Sequence, residues 1–162
     1  MRAVRFLALM AVLSVLASCS KFQTYSGPEV TQVLVQKEAR RMYLFHNQEV
    51  LKAYDFELGF APVGDKSVEG DGRTPEGLYF IDRRNPNSEF YLSIGISYPN
   101  AQDRAEAEAL GQSPGGDIFI HGTPRPFRRT DDWTAGCIAV TNREMREIYA
   151  MVRNGTPILI QP

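Results

Sequence analysis

The sequence predicts a mostly β fold with short helices, an α+β domain, on three observations. Runs rich in β-branched and aromatic residues recur between turn-forming residues along most of the chain. Only two segments combine helix-forming composition with a capping residue at their start. With residues 1–18 set aside as a signal, the remaining chain suits one domain with its own hydrophobic core, and no second domain is needed.

Residues 1–18 have the pattern of a secretory signal. Arg2 and Arg5 supply a positive start, and the apolar run over 6–17 that follows is too short to span a bilayer. The run ends in Leu16-Ala17-Ser18-Cys19, which resembles a bacterial lipobox, so we expect Cys19 to be lipidated and to become the new N-terminus. The alternative is an ordinary cleavable signal in which Cys19 is incidental.

The residues after the signal predict a location. Ser20, and not Asp, follows Cys19, which by the general sorting rule of diderm bacteria favours the outer membrane, with the protein lipid-anchored and facing the periplasm. Residues 19–30 are short and polar, as expected of a lipidated tether to a domain over 31–162. The N-terminal lipid would therefore make the membrane a partner.

The charge balance argues against a nucleic-acid partner. Without the two arginines of the signal, 16 Lys and Arg side chains stand against 19 Asp and Glu side chains. The net charge is then about −3, and no basic field for nucleic acid is present. For the oligomeric state we assume a monomer.

The first predicted elements are strands. An alternating pattern begins at Val33, and β-rich runs over 42–46 and 49–56 are separated by Asn47-Gln48, which predicts a hairpin. His46 lies at its tip and is expected to be a solvated turn residue.

A long loop and two more strands follow the hairpin. The stretch 59–77 contains five glycines and two prolines, which predicts a long functional loop or flap. Strands are predicted over 78–81 and 90–94.

Both predicted helices begin at clear caps. Asn100 can cap a helix over 101–110, and Thr141 with Glu144 forms a capping box for the last helix. The apolar face of the last helix consists of Met145, Ile148, Tyr149 and Val152. Gly155 is expected to end this helix, and a strand over 157–160 closes the sheet.

Between the helices lie two short apolar strands, 117–121 and 138–140. The polar, proline-containing loop 122–134 that connects them would bring their ends together in space. His121 ends the first strand and Cys137 immediately precedes the second, so the sequence predicts that both residues lie where the two strand ends come together.

Cys137 is the only thiol expected to remain free in the mature chain. In an envelope compartment an unpaired thiol requires either deep burial or a chemical use. A free cysteine is mostly protonated at neutral pH, so attack on an acyl carbonyl needs a base, and His121 is the plausible imidazole. An activated Cys137 is expected to alkylate fast, with a pH midpoint below that of a free thiol.

The glycines beside these residues suit a catalytic role. The backbone at Gly122 could offer a carbonyl to the Nδ1 proton of His121 and direct Nε2 toward the sulfur. The N–H groups around 135–137, including that of Gly136, are candidates for an oxyanion hole. The chemistry would be acyl transfer through a thioester.

Two other interpretations of these residues are open. A cysteine beside Ile138 can be an inert, buried hydrophobic residue. A zinc site could be assembled from Cys137, His121, Asp131 and Asp132, although the spacing matches no usual zinc pattern.

Three motifs resemble those of a known family. Thr74-Pro75-Glu76-Gly77, Ile120-His121-Gly122 and Thr134-Ala135-Gly136-Cys137-Ile138 occur in the order and approximate spacing of the L,D-transpeptidase catalytic domain, also called the YkuD domain. The resemblance covers about residues 32–161. It is closest to the YafK-like branch, on the segments 97–100, 115–122 and 136–142.

The resemblance implies a β-sandwich-like fold with the nucleophile in a cleft. Its substrates would be peptidoglycan stem peptides, in a role in cell wall biogenesis and cell shape. Cys137 would be the nucleophile and His121 the base, with backbone groups of Gly136 and Gly122 completing the site. No metal or organic cofactor is implied. An amine acceptor would give crosslinks or attach a protein, while water would give hydrolysis, and a non-catalytic peptidoglycan-binding lipoprotein is the alternative from another class.

The chain departs from the commoner family motif at two positions. Ala135 replaces a second histidine and Ala139 replaces an arginine, which removes an auxiliary imidazole and a carboxylate-binding cation. We hypothesise that an arginine of the 122–134 loop recognises the carboxylate instead. The candidate substrate-binding residues are Arg125, Arg128, Arg129, Trp133, Thr134, Tyr98 and Arg104.

Overall fold

The computed structural model describes residues 21–162, so the predicted signal peptide and Cys19 lie outside the described residues. The eight strands are β1 (Gln32–Gln36), β2 (Arg41–His46), β3 (Glu49–Asp55), β4 (Gly77–Asn85), β5 (Ser93–Ile96), β6 (Phe119–Gly122), β7 (Ile138–Val140) and β8 (Pro157–Gln161). The helices are α1 (Ala101–Ala109) and α2 (Asn142–Met151), with a 3₁₀ turn at Arg125–Phe127. The predicted mostly β fold with short helices is confirmed.

The strands form one sheet in the order β3-β2-β1-β8-β4-β5-β6-β7. β4 joins its two halves, because residues 77–80 pair with β8 and residues 81–85 pair with β5. Bridges from Glu57 to Ala139 and from Gly59 to Thr134 connect the chain after β3 with the β7 region. The two ends of the sheet therefore meet, and the fold is barrel-like.

The core lies between the sheet and α2. Alternate residues of β1 and β2 are buried, as period-2 strands with one buried face require. The α2 face predicted to be apolar packs inward through Met145 and Ile148, both fully buried. Each such side chain contributes about 1.5–3 kcal/mol of burial free energy. The predicted capping box of Thr141 and Glu144 is present, as is the Asn100 cap of α1.

One predicted strand is displaced along the chain. We predicted a strand over 90–94, but β5 begins at Ser93. Tyr91 has φ +77°, and the Leu92 N–H donates to the Phe90 carbonyl, so the chain turns where the apolar pattern predicts extension. This turn has a functional consequence, because it leaves Phe90 outside the ladder and against the candidate site.

The described part of the predicted tether packs against the domain. The Phe22 ring lies 6.3 Å from the Tyr149 ring on α2. Lys21 Nζ donates to the Pro86 carbonyl, and Val30 is buried. The segment 21–30 thus follows the domain surface before β1. Within residues 21–162, no helix has the length and apolarity needed to cross a bilayer.

Candidate active site

Two adjacent parallel strands carry the candidate nucleophile and base. β6 pairs with β7 in the register Ile120–Ile138 and His121–Ala139. Side chains alternate between the faces of a sheet, so Cys137 lies on the same face as Ala139 and hence as His121. The prediction that the 122–134 loop brings the two strand ends together is confirmed.

The Cys137 thiol is free and only partly accessible to solvent. Its Sγ accepts a hydrogen bond from the Phe119 N–H at 3.4 Å and donates to the Asp117 carbonyl at 3.5 Å. Burial raises the pKa of this thiol above its ordinary value, and the Asp117 carboxylate adds to the rise. The Phe119 N–H and the cations of Lys66 and Arg83 oppose it. At neutral pH the resting thiol is therefore protonated.

His121 is held as a neutral imidazole with one defined tautomer. Its ring is buried, and Nδ1 lies 2.8 Å from the Gly122 carbonyl oxygen. A carbonyl can only accept, so Nδ1 carries the proton and Nε2 presents a lone pair. The predicted hydrogen bond to a backbone carbonyl at Gly122 is thus confirmed. Burial lowers the pKa of His121, against the opposing effect of that hydrogen bond.

The raised pKa of Cys137 contradicts our expectation that this thiol titrates below a free cysteine. The lowered pKa of His121 sets a second expectation, for the base. We expect alkylation of Cys137 by iodoacetamide to rise with pH through a midpoint above that of free cysteine, which is about 8.5. Acyl transfer should persist below pH 6.5, the ordinary pKa of histidine, and should fall only as the pH drops through the lowered pKa of His121. Measuring the alkylation and acyl-transfer rates from pH 5 to 11, with Cys137→Ala as the blank, checks both the high-pH midpoint and the low-pH fall. An alkylation midpoint below 8 would indicate a preformed thiolate–imidazolium pair instead.

An aromatic cluster covers the imidazole. The Phe90 ring stacks on His121 at 4.5 Å between centroids, and Trp133 meets it edge-on at 5.5 Å. Phe127 in turn stacks on Trp133 at 4.4 Å, with the planes 8° apart. Trp133 therefore lies beside the predicted base, while Phe90 gave no signal in the sequence because its strand was predicted to be continuous.

The loop before Cys137 has a defined set of hydrogen bonds. The Gly136 N–H donates to Thr134 Oγ1 at 3.2 Å, and Thr134 Oγ1 donates to the Cys137 carbonyl at 2.7 Å. Thr74 Oγ1 donates to the Gly136 carbonyl at 2.8 Å. Thr134, predicted to bind substrate, thus uses its hydroxyl within the loop.

Hydrogen bonds within the protein reduce the number of backbone N–H groups that are available to bind an oxyanion. The Gly136 N–H is engaged by Thr134, and the Gly122 N–H donates to the carbonyls of Phe90 and Leu92. Within residues 21–162, the Cys137 N–H has no hydrogen-bond acceptor. Of the N–H groups around 135–137, those of Ala135 and Cys137 therefore remain without an acceptor in the described part of the chain, and the Cys137 N–H, which belongs to the nucleophile itself, is the candidate oxyanion donor.

The predicted flap over 59–77 is an ordered loop that reaches the site. The Asp71 carboxylate accepts hydrogen bonds from Lys66 Nζ and from the N–H groups of Ser67, Val68 and Arg73. The buried Lys37 Nζ donates to the Thr74 carbonyl at 3.0 Å and to Glu76 at 2.7 Å. These contacts hold Thr74 against the loop that carries Cys137.

A cavity of about 580 Å³ opens beside the site, at the carboxyl ends of β6 and β7. It includes Ala139, which shares a face with Cys137, but neither Cys137 nor His121 lines it. Its polar lining comes from Asp55, Glu57, Thr123, Arg128, Thr130, Asp131, Thr141, Asn142, Arg143 and Glu144. It is therefore a cavity next to the candidate reacting groups and not the reaction centre itself.

The other predicted substrate-binding residues lie in different surroundings. Arg125, Arg128 and Arg129 are all exposed, and of these only Arg128 lines the cavity. Tyr98 is buried, with its hydroxyl donating to the Pro114 carbonyl at 2.9 Å. Arg104 donates to the Pro99 carbonyl. The Tyr98 hydroxyl is therefore used within the protein, while exposed Arg104 uses one of its donors there.

The donor set considered for zinc does not assemble. The Asp132 carboxylate instead forms a two-point pair with the Arg40 guanidinium, one contact being 2.7 Å, and it also accepts from the Leu58 N–H. In the described part of the chain no three His, Cys, Asp or Glu side chains come together as a metal site requires.

Comparison with known proteins identifies a matching family model and a relative of similar sequence. The family model described as the L,D-transpeptidase catalytic domain, YkuD, matches residues 31–160. YafK of Escherichia coli (strain K12), an L,D-transpeptidase by name, is 30% identical over 146 residues, which are 88% of this chain and 54% of YafK.

Solved structures show the same fold. The helical cell shape determining protein Pgp2 of Campylobacter jejuni, as its K307A mutant, superposes with a TM-score of 0.64 at 29% identity, over 84% of this chain and 48% of Pgp2. An L,D-transpeptidase from Mycobacterium smegmatis matches with a TM-score of 0.56 at 14% identity, over 82% and 59% of the two chains, and supports the fold alone. The chain spans about half the length of YafK and Pgp2.

Proposed function

Because the chain belongs to the family of the L,D-transpeptidase catalytic domain, we propose that it is a cell-wall L,D-transpeptidase with Cys137 as nucleophile and His121 as base. Its substrates are peptidoglycan stem peptides, and its role lies in cell wall biogenesis and cell shape. One observation carries the proposal: the Gly122 carbonyl fixes the Nδ1–H tautomer of His121 on the strand next to Cys137. This hydrogen bond leaves Nε2 with the lone pair that a general base requires.

The reaction proceeds from a neutral pair. The thiol proton leaves the Asp117 carbonyl and passes to His121 Nε2 as Sγ attacks the peptide carbonyl. The Cys137 N–H stabilises the resulting oxyanion. The His121 proton then passes to the departing amine as the C–N bond breaks, which leaves a thioester on Cys137. An acceptor amine gives up a proton to His121 and takes the acyl group, and the thiol is restored.

The neutral resting state suits this order of steps. A protonated imidazole could not accept the thiol proton, so the lowered pKa of His121 keeps the base ready at neutral pH. The raised pKa of Cys137 means that the thiolate forms together with attack. The aromatic rings of Phe90 and Trp133 exclude water from the imidazole and favour this uncharged pair.

Mass spectrometry of peptidoglycan fragments tests the proposal. Purified protein and its Cys137→Ala variant are incubated with fragments that carry tetrapeptide and pentapeptide stems. We expect crosslinked or amine-exchanged stems that form with the wild type and are absent with the variant. Shortened or released peptides that depend on Cys137 would make the enzyme a hydrolase of the same fold. No Cys137-dependent product would overturn the proposal and favour a peptidoglycan-binding lipoprotein.

Arg128 is the best-placed loop arginine to recognise a substrate carboxylate, since it alone of the three lines the cavity. We expect Arg128→Ala to raise KM for stem peptide about 10- to 100-fold with kcat nearly unchanged, as for loss of one charged hydrogen bond. Arg125→Ala and Arg129→Ala are matched controls from the same loop and should keep the wild-type KM. Equal effects in all three variants, or none, would contradict a specific role for Arg128.

We place the protein in the bacterial envelope, and propose lipid attachment at Cys19 with anchoring in the outer membrane. The lipobox-like end of the apolar run and Ser20 support this location. We expect the full chain to incorporate labelled palmitate and to sediment with the outer-membrane fraction, and Cys19→Ser to lose both properties. Label retained in Cys19→Ser would contradict the assignment, and sedimentation with the inner membrane would correct the location.

A further inference from the structure

We propose that Thr74 is a positioning residue that aims the Cys137 N–H at the developing oxyanion. The inference rests on the proposed acyl transfer, because only a carbonyl substrate uses such a donor. Thr74 belongs to the flap, 63 positions before the nucleophile in the chain, and its hydroxyl binds the Gly136 carbonyl and not the thiol. Thr74 influences the Cys137 N–H through a single peptide unit, whose carbonyl it binds.

That peptide unit joins Gly136 to Cys137. In a planar trans peptide the C=O of one residue and the N–H of the next point in opposite directions. Thr74 Oγ1 donates to the Gly136 carbonyl at 2.8 Å. Fixing this carbonyl therefore fixes the direction of the Cys137 N–H, on the far side of the same plane.

Without this bond the peptide plane would be restrained only through its neighbouring peptide units. Gly136 has φ +124°, a conformation that glycine adopts without a Cβ penalty, so no side chain at this position restrains the peptide. Thr134 binds the Gly136 N–H and the Cys137 carbonyl, which belong to the two neighbouring peptide units. Among the residues that the structure describes, only Thr74 hydrogen-bonds to the unit that contains the Cys137 N–H.

Thr74 is itself rigidly placed. It is fully buried, and its carbonyl accepts from Lys37 Nζ at 3.0 Å. The same ammonium pairs with Glu76 at 2.7 Å. The buried Lys37–Glu76 ion pair thus fixes the backbone of Thr74, and with it the hydroxyl that orients the peptide. A preorganised oxyanion donor requires such support.

The test separates attack on a carbonyl from general thiol reactivity. Wild type, Thr74→Val and Thr74→Ser are treated with p-nitrophenyl acetate, which transfers acetyl to Sγ and releases p-nitrophenolate, and separately with iodoacetamide, which is attacked at a saturated carbon and forms no oxyanion. We expect Thr74→Val to lose about 10- to 100-fold in acylation rate, somewhat less than deletion of an oxyanion donor. Its alkylation rate should stay within about twofold of wild type, and Thr74→Ser should retain most of the acylation.

A second threonine provides the matched control. Thr31 Oγ1 also donates to a backbone carbonyl, that of Phe45, at the opposite side of the sheet. Thr31→Val should leave both rates unchanged. If Thr74→Val does not fold, Thr74→Ala removes the same hydroxyl with less crowding and enters both assays.

Each outcome of the assays has a defined meaning. Unchanged acylation in Thr74→Val, a parallel fall in acylation and alkylation, or failure of Thr74→Ser to restore acylation would overturn the inference. Because p-nitrophenyl acetate is not a peptidoglycan substrate, the wild type can acylate in this assay and still fail on stem peptides. That combination would reject the proposed function, while the acylation rates of the Thr74 variants would still test the role of Thr74.

Discussion

Replacement of His121 by glutamine is expected to slow acylation of Cys137 by about 10²- to 10⁴-fold, the range lost with a general base. Glutamine can still donate to the Gly122 carbonyl, but it cannot accept a proton at neutral pH. The fold should survive, since the side chain keeps both volume and a donor in a buried position. Time-resolved mass spectrometry of the thioester measures the rate.

The second histidine of the chain is the matched control for this substitution. His46 Nδ1 also lies 2.8 Å from a backbone carbonyl, that of Glu29, but at the end of β2 and on the surface. His46→Gln should leave acylation unchanged. Equal rates for His121→Gln and wild type would reject His121 as the base, and equal losses in both variants would point to stability and not to catalysis.

Replacement of Gly136 by alanine should be the most damaging small substitution at the site. The backbone at Gly136 has φ +124°, which costs a non-glycine residue about 1–3 kcal/mol. A Cβ there would lie 2.5 Å from the Arg73 carbonyl oxygen, a contact that requires backbone movement. The peptide that carries the Cys137 N–H would move with it, so we expect thioester formation to fall by about 100-fold or more.

A matching substitution at Gly155 separates the effect of backbone strain from the effect of the steric contact at Gly136. It has φ +88°, but a Cβ at Gly155 would meet no atom within 4 Å. Gly155→Ala should therefore lose stability in denaturant titrations, by about 1–3 kcal/mol, and keep its acylation rate. If the two variants acylate at the same rate, the close approach of the flap to Gly136 has no catalytic consequence.

The sequence predicted well those features that depend on neighbours along the chain. Asn47-Gln48 indicated the β2–β3 turn, and Thr141 with Glu144 marked the start of α2, because turns and caps are hydrogen-bonded within three or four residues. The carbonyl partner of His121 was also predictable, since it belongs to the next residue.

Features that depend on distant residues were not predictable in this way. The Arg40–Asp132 pair connects the β1–β2 turn with the loop before Cys137, and nothing local in either segment indicates the other. The strand expected over 90–94 failed for a related reason, because its apolar residues satisfy burial around a turn as well as in a ladder. The Thr74–Gly136 bond likewise joins two loops that meet only in the folded chain.

The sequence by itself determined the fold class, the helix caps and the residue types capable of nucleophilic acyl transfer, since composition, periodicity and spacing encode these directly. The tertiary structure decided which groups are available for that chemistry. It engaged the N–H groups of Gly136 and Gly122 and left that of Cys137 without an acceptor among residues 21–162, as the proposed role in binding an oxyanion requires. It also made the resting thiol and imidazole neutral, because burial, which disfavours a charged group, exists only once distant segments have packed around it.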